Sequence, residues 1–286
     1  MSKAIEQSVK EKVKTISQQQ GRTFNDVWQE VVLERWLARL ASSPYLKNFI
    51  FKGAMCLLQY VGLQRETRDL DFLIKDLPPS IDDVRKYLTE VSGLSLKDGF
   101  TFENLDVHPL RHPHMKYPGH QVSVVGKLGA TKTKIFIDIG AGDAVRPTEI
   151  TMKLLGTNKT PIFEKEIHLW AYPVETIFAE KLETAVSRSD QNSRMKDYHD
   201  LMVLIRGEVV DKKKLKAAIK ATFENRGTQI KKLSIPKDQV SNIQNYWDIY
   251  LRAVDGKVKT DLPENFLDLI EEINAYLIDN QLDRET

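Results

Sequence analysis

The spacing of apolar residues changes along this chain. Over 24–41, Val27, Val31, Val32, Trp36 and Leu40 recur near the 3.6-residue period of a helix, and 3–19 carries a second helix, the two joined around Gly21. A short apolar run, FIF at 49–51, ends at Lys52-Gly53, and the helix-like AMCLLQYVG follows. LDFLI at 70–74 predicts a strand, closed by Asp76 and the Pro78-Pro79 pair. Ser80-Ile-Asp-Asp sets a helix start ahead of Val84, Tyr87, Leu88 and Val91. Between about 99 and 170 the segments shorten to QVSVVGKL, KTKIFIDIG and EIHLWAY, separated by Gly, Pro or Lys-Thr turns. From Pro173 onward the pattern predicts helices at 175–190, 196–206, 211–223, near 236–253, and 264–280. Helices, then a mixed sheet, then a helical tail make the class α+β, with domains expected at 1–170 and 171–286 and no internal repeat.

Composition narrows the chemistry. A hydrophobic fraction of 41% and a charged fraction of 29% are those of a soluble globular protein. With 42 basic against 40 acidic residues, no global field holds nucleic acid, so a polyanion site must come from local clustering. One cysteine, Cys56, excludes an internal disulfide framework and fits a reducing cytosol; its setting, AMCLLQY, reads as a packed face. The N-terminus, MSKAIEQSVKEKV, lacks the apolar core of a signal peptide, and no stretch of about 18 apolar residues exists to span a membrane. A cytoplasmic location is expected.

The candidate chemistry begins at TRDLDFLIKD, residues 67–76, where two aspartates sit one residue apart inside an apolar run. In a strand, residues i and i+2 project from one face with Cα atoms about 6.5–7 Å apart. Asp69 and Asp71 therefore share a face, while Leu70 and Phe72 point to the other. Two like charges so placed repel, and a divalent cation removes that penalty. KTKIFIDIG supplies a third carboxylate: Ile135, Ile137 and Ile139 alternate with Lys134, Phe136 and Asp138, leaving Asp138 on the less apolar face. Three aspartates on adjacent strands suit two cations about 3.5–4 Å apart and in-line phosphoryl or nucleotidyl transfer. The bland alternative makes each aspartate a strand-end or turn residue.

Here the chain resembles a family. FIFKGAMCLLQYVGLQRETRDLDFLI is similar to the first motif of the nucleotidyltransferase superfamily, a Gly-containing turn and helix before a D-x-D strand. YLKNFIFKGA, R-x-T-R-DLDF, IDIG, AEKLETAVSR and R-M-KD-YHDL together resemble the AbiEii/AbiGii-type nucleotidyltransferase toxins of type IV toxin–antitoxin and abortive-infection (phage-defence) systems. The resemblance runs from about residue 24 to 206. It implies a nucleotidyltransferase-like mixed β-sheet flanked by helices, with a helical C-terminal domain completing the active-site cleft. It also implies Mg²⁺, in a two-metal site, held by Asp69, Asp71 and Asp138; a nucleoside triphosphate donor; and an RNA acceptor, in some members the tRNA 3′ end. Lys52, Gly53, Thr67 and Arg68 fall in the nucleotide-binding motif. A helix-turn-helix antitoxin encoded nearby is the implied protein partner. The family usually shows Gly-Gly or Gly-Ser where this chain has Gly53-Ala54, which removes a hydroxyl from a triphosphate and leaves backbone N–H groups to bind it.

A second constellation lies in the tail. In the helix beginning near Glu175, Lys181 falls inside the apolar arc of Val174, Ile177, Phe178, Leu182 and Ala185, and Arg188 lies close to it. Such a lysine either lays its stem over the apolar stripe and reaches solvent, or aims its cation into a cleft where a triphosphate's charge can be neutralised. The resemblance assigns it the second role. In KDYHDLMVLI, Asp197 and Asp200 are read as first-turn residues, for which capping and dipole stabilisation are an alternative worth about 0.5–2 kcal/mol. The family pattern places a functional aspartate at Asp197, with Asp200, Arg194 and Lys196 beside it in nucleotide binding.

Other patterns carry less. His108, His112, His114 and His120 in DVHPLRHPHMKYPGH lack cysteine, and the prolines there predict a loop rather than a zinc site; with Arg111 and Lys116 it is a candidate contact for nucleic acid. The basic stretch LKAAIKATFENR–NRGTQIKKLSIPK reads as a solvated face or a grip on an RNA backbone. Three functions stay open: transfer of nucleotide to RNA, transfer to a small molecule or protein side chain, or a catalytically inactive nucleotide-binding module.

Overall fold

The architecture follows from which segments bury both faces. The computed structural model describes residues 2–61, 67–110, 119–188, 193–254 and 262–283. Helix α1 (Ser2–Gln20) buries one stripe, Val9, Val13 and Ile16. Helix α2 (Phe24–Ala41), capped by Thr23, is buried all round from Val31 to Leu40, as a helix enclosed in a core must be. Its two buried arginines pair with carboxylates inside the protein. Arg39 clamps both oxygens of Asp98 at 2.9 Å, Arg35 Nε donates to the same carboxylate at 2.8 Å, and Arg35 reaches Glu164 at 2.6 Å. Burial disfavours an ionised Asp98, but the two guanidiniums outweigh it and hold its carboxyl below the usual range.

Strand β1 (Phe49–Lys52) leads directly into α3 (Gly53–Val61), followed by β2 (Asp69–Ile74) and α4 (Ile81–Gly93), whose N-cap is Ser80 as expected. Then come β3 (Phe100–Leu110), β4 (Gly119–Leu128), β5 (Thr131–Ala141), β6 (Thr148–Lys153) and β7 (Glu166–Ala171). They form a seven-stranded sheet in the order β3-β4-β5-β2-β1-β7-β6, parallel at β2–β5 and β1–β7 and antiparallel elsewhere. Phe49, Phe51 and Phe72 pack ring to ring at the sheet centre with Trp36 of α2. Cys56 of α3 is fully buried, and desolvation pushes its thiol up, which suits a packing residue.

The expected loop at DVHPL is instead the end of β3. His108 pairs with Gln121 of β4, and Pro109 is tolerated because β3 is an edge strand. His120 lies in β4, buried, with Nε2 on the carbonyl of Pro79 at 2.7 Å. Arg111, His112, His114 and Lys116 lie outside the described residues.

The chain divides into two compact units, one of residues 1–59, 65–143 and 147–172, the other of 60–64, 144–146 and 173–286. In the second, α5 (Val174–Arg188), α6 (Met195–Arg206), α7 (Lys212–Arg226), α8 (Val240–Ala253) and α9 (Phe266–Asp279) pack around Phe178, Tyr198, Phe223, Trp247 and Phe266. Arg226 ties α7 to α5 through Glu183 at 2.7 Å and Glu180 at 2.8 Å, so this member of the basic stretch is spent on structure.

Candidate active site

Sheet register assembles a polar row. Lys52 of β1 lies opposite Asp71 of β2, Asp71 opposite Asp138 of β5, Asp138 opposite Gln121 of β4, and Gln121 opposite His108 of β3. Residues paired across neighbouring strands project from the same face, so these side chains cross the sheet on one side. Asp69 sits two residues from Asp71 on that side, while Leu70 and Phe72 are buried on the other. The isoleucines at 135, 137 and 139 are buried opposite the face that carries Asp138. The sheet thus brings Asp69, Asp71 and Asp138 onto one surface, with neighbouring strands about 4.7–4.9 Å apart. Asp138 accepts a hydrogen bond from Gln121 Nε2 at 3.1 Å.

At the end of this row the chain turns sharply. Gly53 opens α3 with φ of +71°, a conformation that favours glycine. The Asp71 side chain lies directly over it: a Cβ on residue 53 would stand 2.0 Å from Asp71 Oδ2. One carboxylate of the D-x-D strand is therefore seated against the first turn of α3. Thr67 is half-buried and Arg68 exposed, immediately before β2.

Carboxylate oxygens are the donors Mg²⁺ takes, and these three are wholly or partly solvent-accessible, so the donor set fits that cation. Among the described residues no three or more His, Cys, Asp or Glu side chains already converge as a metal-holding group. The backbone sets where the carboxylates start and leaves their final approach to side-chain rotation.

The helical unit holds the second set. Lys181 does not reach out to solvent: its Nζ lies 2.8 Å from Asp197 Oδ1 and 2.8 Å from Asp200 Oδ2. Arg194 Nε donates to the other oxygen of Asp197 at 2.7 Å. Burial alone would depress the Lys181 ammonium, but Asp200 and Asp197 outweigh it and hold it above its ordinary value. Burial likewise opposes ionisation of Asp197, and Lys181 with Arg194 keeps its carboxyl below the usual range. Asp197 lies in the first turn of α6, as expected. Asp200, the sixth residue of that helix, lies beyond the turn where capping acts, and it is fully buried. Arg188 is half-buried in the last turn of α5, and Lys196 is exposed on α6.

Three members of the sheet site escaped sequence reading. Gln121 opens QVSVVGKL as a polar residue whose face the alternation in β4 makes visible once the strand's bounds are known. Asp143 follows β5 in a segment without periodicity, and Tyr172 closes the apolar run EIHLWAY. Nothing local links those two to Lys52.

The fold has solved counterparts. The structure of JHP933 from Helicobacter pylori matches with a TM-score of 0.51 at 14% identity, covering 91% of this chain and 94% of that one. MenT4, a nucleotidyltransferase toxin from Mycobacterium tuberculosis, matches with a TM-score of 0.50 at 16% identity, covering 95% and 99%. No curated protein matches the sequence. The family model described as "Nucleotidyl transferase AbiEii toxin, Type IV TA system" matches residues 35–275, which takes in both the carboxylate-bearing sheet and the Lys181 cluster, and the chain belongs to that family of nucleotidyltransferases.

Proposed function

We propose that this nucleotidyltransferase toxin is Mg²⁺-dependent and transfers a nucleotide from a nucleoside triphosphate to RNA, with the tRNA 3′ end as the acceptor that the family resemblance favours. The observation that carries the reading is the in-register pair Asp71 and Asp138 with Asp69 on the same face. Asp69, Asp71 and Asp138 would hold Mg²⁺, two ions in the full site, which when bound lower the charge on the phosphates and the pKa of an acceptor hydroxyl. The acceptor oxygen forms a bond to the α-phosphorus as the bond to the β-phosphate oxygen breaks, and pyrophosphate leaves with the electron pair. Asp138 either takes the hydroxyl proton or completes the cation site, in which case the proton passes to solvent water. Gly53 and the N-terminus of α3 bind phosphate through backbone N–H groups, with Lys52, Thr67 and Arg68 near them in sequence. Lys181, Arg188, Arg194, Lys196, Asp197 and Asp200 serve nucleotide binding from the helical unit, with Lys181 the triphosphate cation.

An RNA acceptor is supported by charge placement. Helix α7 carries six basic residues and one acidic one, against a net of +2 for the whole chain. Lys212, Lys213, Lys214, Lys216 and Lys220 are all exposed. Counterion release then makes RNA binding steeply salt-dependent, whereas a small-molecule or side-chain acceptor leaves it nearly flat. The deciding experiment incubates the protein with Mg²⁺, each labelled nucleoside triphosphate and total cellular RNA. Label on RNA, lost in both Asp69→Ala and Asp71→Ala, supports the reading; label on protein or small acceptors alone moves the activity to the second class. A folded sample that labels nothing and binds no triphosphate leaves only a non-catalytic partner-binding role. Growth arrest on expression that is relieved by a helix-turn-helix protein encoded nearby tests the antitoxin partner, and protection of expressing cells from phage tests the defence role.

A further inference from the structure

Lys52 ends the polar row of the sheet, and its surroundings are built rather than incidental. Its Nζ donates to Asp143 Oδ2 at 2.9 Å and to the Tyr172 hydroxyl at 3.3 Å, and it lies 4.7 Å from the centre of the Tyr172 ring. Tyr172 in turn donates to the same Asp143 oxygen at 2.9 Å, closing a triangle. The Lys52 and Asp143 side chains are 17% and 11% exposed, and Tyr172 is fully buried. Three chain segments meet here: the end of β1, the segment after β5, and the residue after β7, whose N–H donates to the Phe51 carbonyl at 2.9 Å. A lysine stem has four rotatable bonds and much rotamer entropy, so an ammonium fixed by two polar partners and one aromatic face has been given a defined place at considerable cost.

That place is next to the carboxylates. Lys52 is the register partner of Asp71 and directly precedes Gly53, against which the Asp71 side chain rests. We infer that Asp143 and Tyr172 are positioning residues that hold the Lys52 ammonium beside the Asp69–Asp71–Asp138 surface as a fixed cation for the nucleotide's phosphates, an inference that rests on the proposed transfer reaction. Asp143 does not itself touch the reacting atoms. Its carboxylate balances the lysine's charge while the site is empty of phosphate and sets where the ammonium stands when phosphate arrives. The Tyr172 hydroxyl fixes the orientation of both, since it donates to one and accepts from the other.

The test measures binding of ATP, GTP, CTP and UTP by calorimetry, and the KM and kcat of transfer with the preferred nucleotide. The proteins are the full-length chain and its Asp143→Asn, Tyr172→Phe and Lys52→Met variants, with pairwise doubles and a melting curve for each. Asp143→Asn keeps the shape of the side chain and loses the charge; it should raise Kd and KM for the triphosphate about tenfold while kcat moves less than about threefold, and Tyr172→Phe should do the same more weakly. In a Lys52→Met background both substitutions should have no further effect, because they act through the lysine. Melting curves separate this from a purely structural role, which would lower the midpoint and leave Kd and KM in place. If Lys52→Met fails to fold, Lys52→Gln replaces it as the background without the cation, and Asp143→Asn should again have no further effect there. The inference is overturned if Asp143→Asn binds triphosphate as the parent does, or if its effect persists without Lys52. A parent protein that binds triphosphate but transfers nothing overturns the proposed reaction and still reads the role of Asp143 through Kd; one that binds no triphosphate overturns both.

Discussion

Replacing Gly53 with alanine probes the junction between the D-x-D strand and the helix that follows β1. Two costs can be worked from the structure. The backbone at residue 53 has φ of +71°, where an L-residue with a Cβ loses roughly 1–2 kcal/mol. The new Cβ would also stand 2.0, 2.5 and 2.7 Å from Oδ2, Cγ and Cβ of Asp71. The last of these atoms is fixed to the strand, so rotating the carboxylate away does not relieve the clash and β2 must shift against α3. Overpacking of this kind costs about 1–3 kcal/mol. Gly21 supplies the matched control: its φ is +65°, and a Cβ there would meet nothing within 4 Å. Gly21→Ala should therefore show the backbone cost alone, and Gly53→Ala should exceed it by about 1–3 kcal/mol. In thermal melts that excess is on the order of 2–12 °C for a unit of this size. Label transfer by Gly53→Ala should fall at least about tenfold, because the displaced group is a proposed cation ligand. Equal melting of the two alanine variants, or full transfer by Gly53→Ala, would refute the assignment of a close approach between Gly53 and Asp71.

Asp98→Ala leaves the buried Arg39 without its carboxylate and Arg35 with Glu164 alone, and should destabilise the protein by about 3–5 kcal/mol in denaturant unfolding. Acid should act on the same group. The folded carboxyls of Asp98 and Asp197 are depressed, so their stabilisation is complete above the unfolded value of about 3.9 and is lost as pH falls through the folded values. The melting midpoint should accordingly fall below about pH 4, less steeply in Asp98→Asn. Lys181→Met leaves Asp197 and Asp200 without their shared cation and should cost about 3–5 kcal/mol, part of which Lys181→Met combined with Asp200→Asn recovers. Triphosphate binding should stay weak in that double variant although its fold is restored, measured by calorimetry beside its melting curve; recovered binding would remove Lys181 from the proposed phosphate set.

Local periodicity was enough for much of this protein. The helices α2, α4, α5 and α6 were legible because each buries one face or more, and Ser80 marked its helix start by a side chain that caps locally. Alternation in β2 and β5 was likewise enough to put Asp69 with Asp71 on one face and Asp138 on the less apolar side of its own strand. Strands β3 and β6 were not individually legible. Both are sheet edges, where exposed and half-buried positions alternate weakly and residues such as Pro109 and Asn104 are tolerated.

What lay beyond the sequence is what depends on partners far along the chain. Whether Asp71 and Asp138 face each other is a question of register, and a slip of one residue would turn one of them to the opposite side of the sheet. The pairing of Arg35 and Arg39 with Asp98 spans some sixty residues, and the triangle of Lys52, Asp143 and Tyr172 spans more than a hundred. A buried charge must find its counter-charge wherever the fold places one, so its pairing is written in no local pattern. Sequence determined which residues could carry the chemistry; only the tertiary structure decided that Lys181 lies between two aspartates and that Asp71 rests against Gly53.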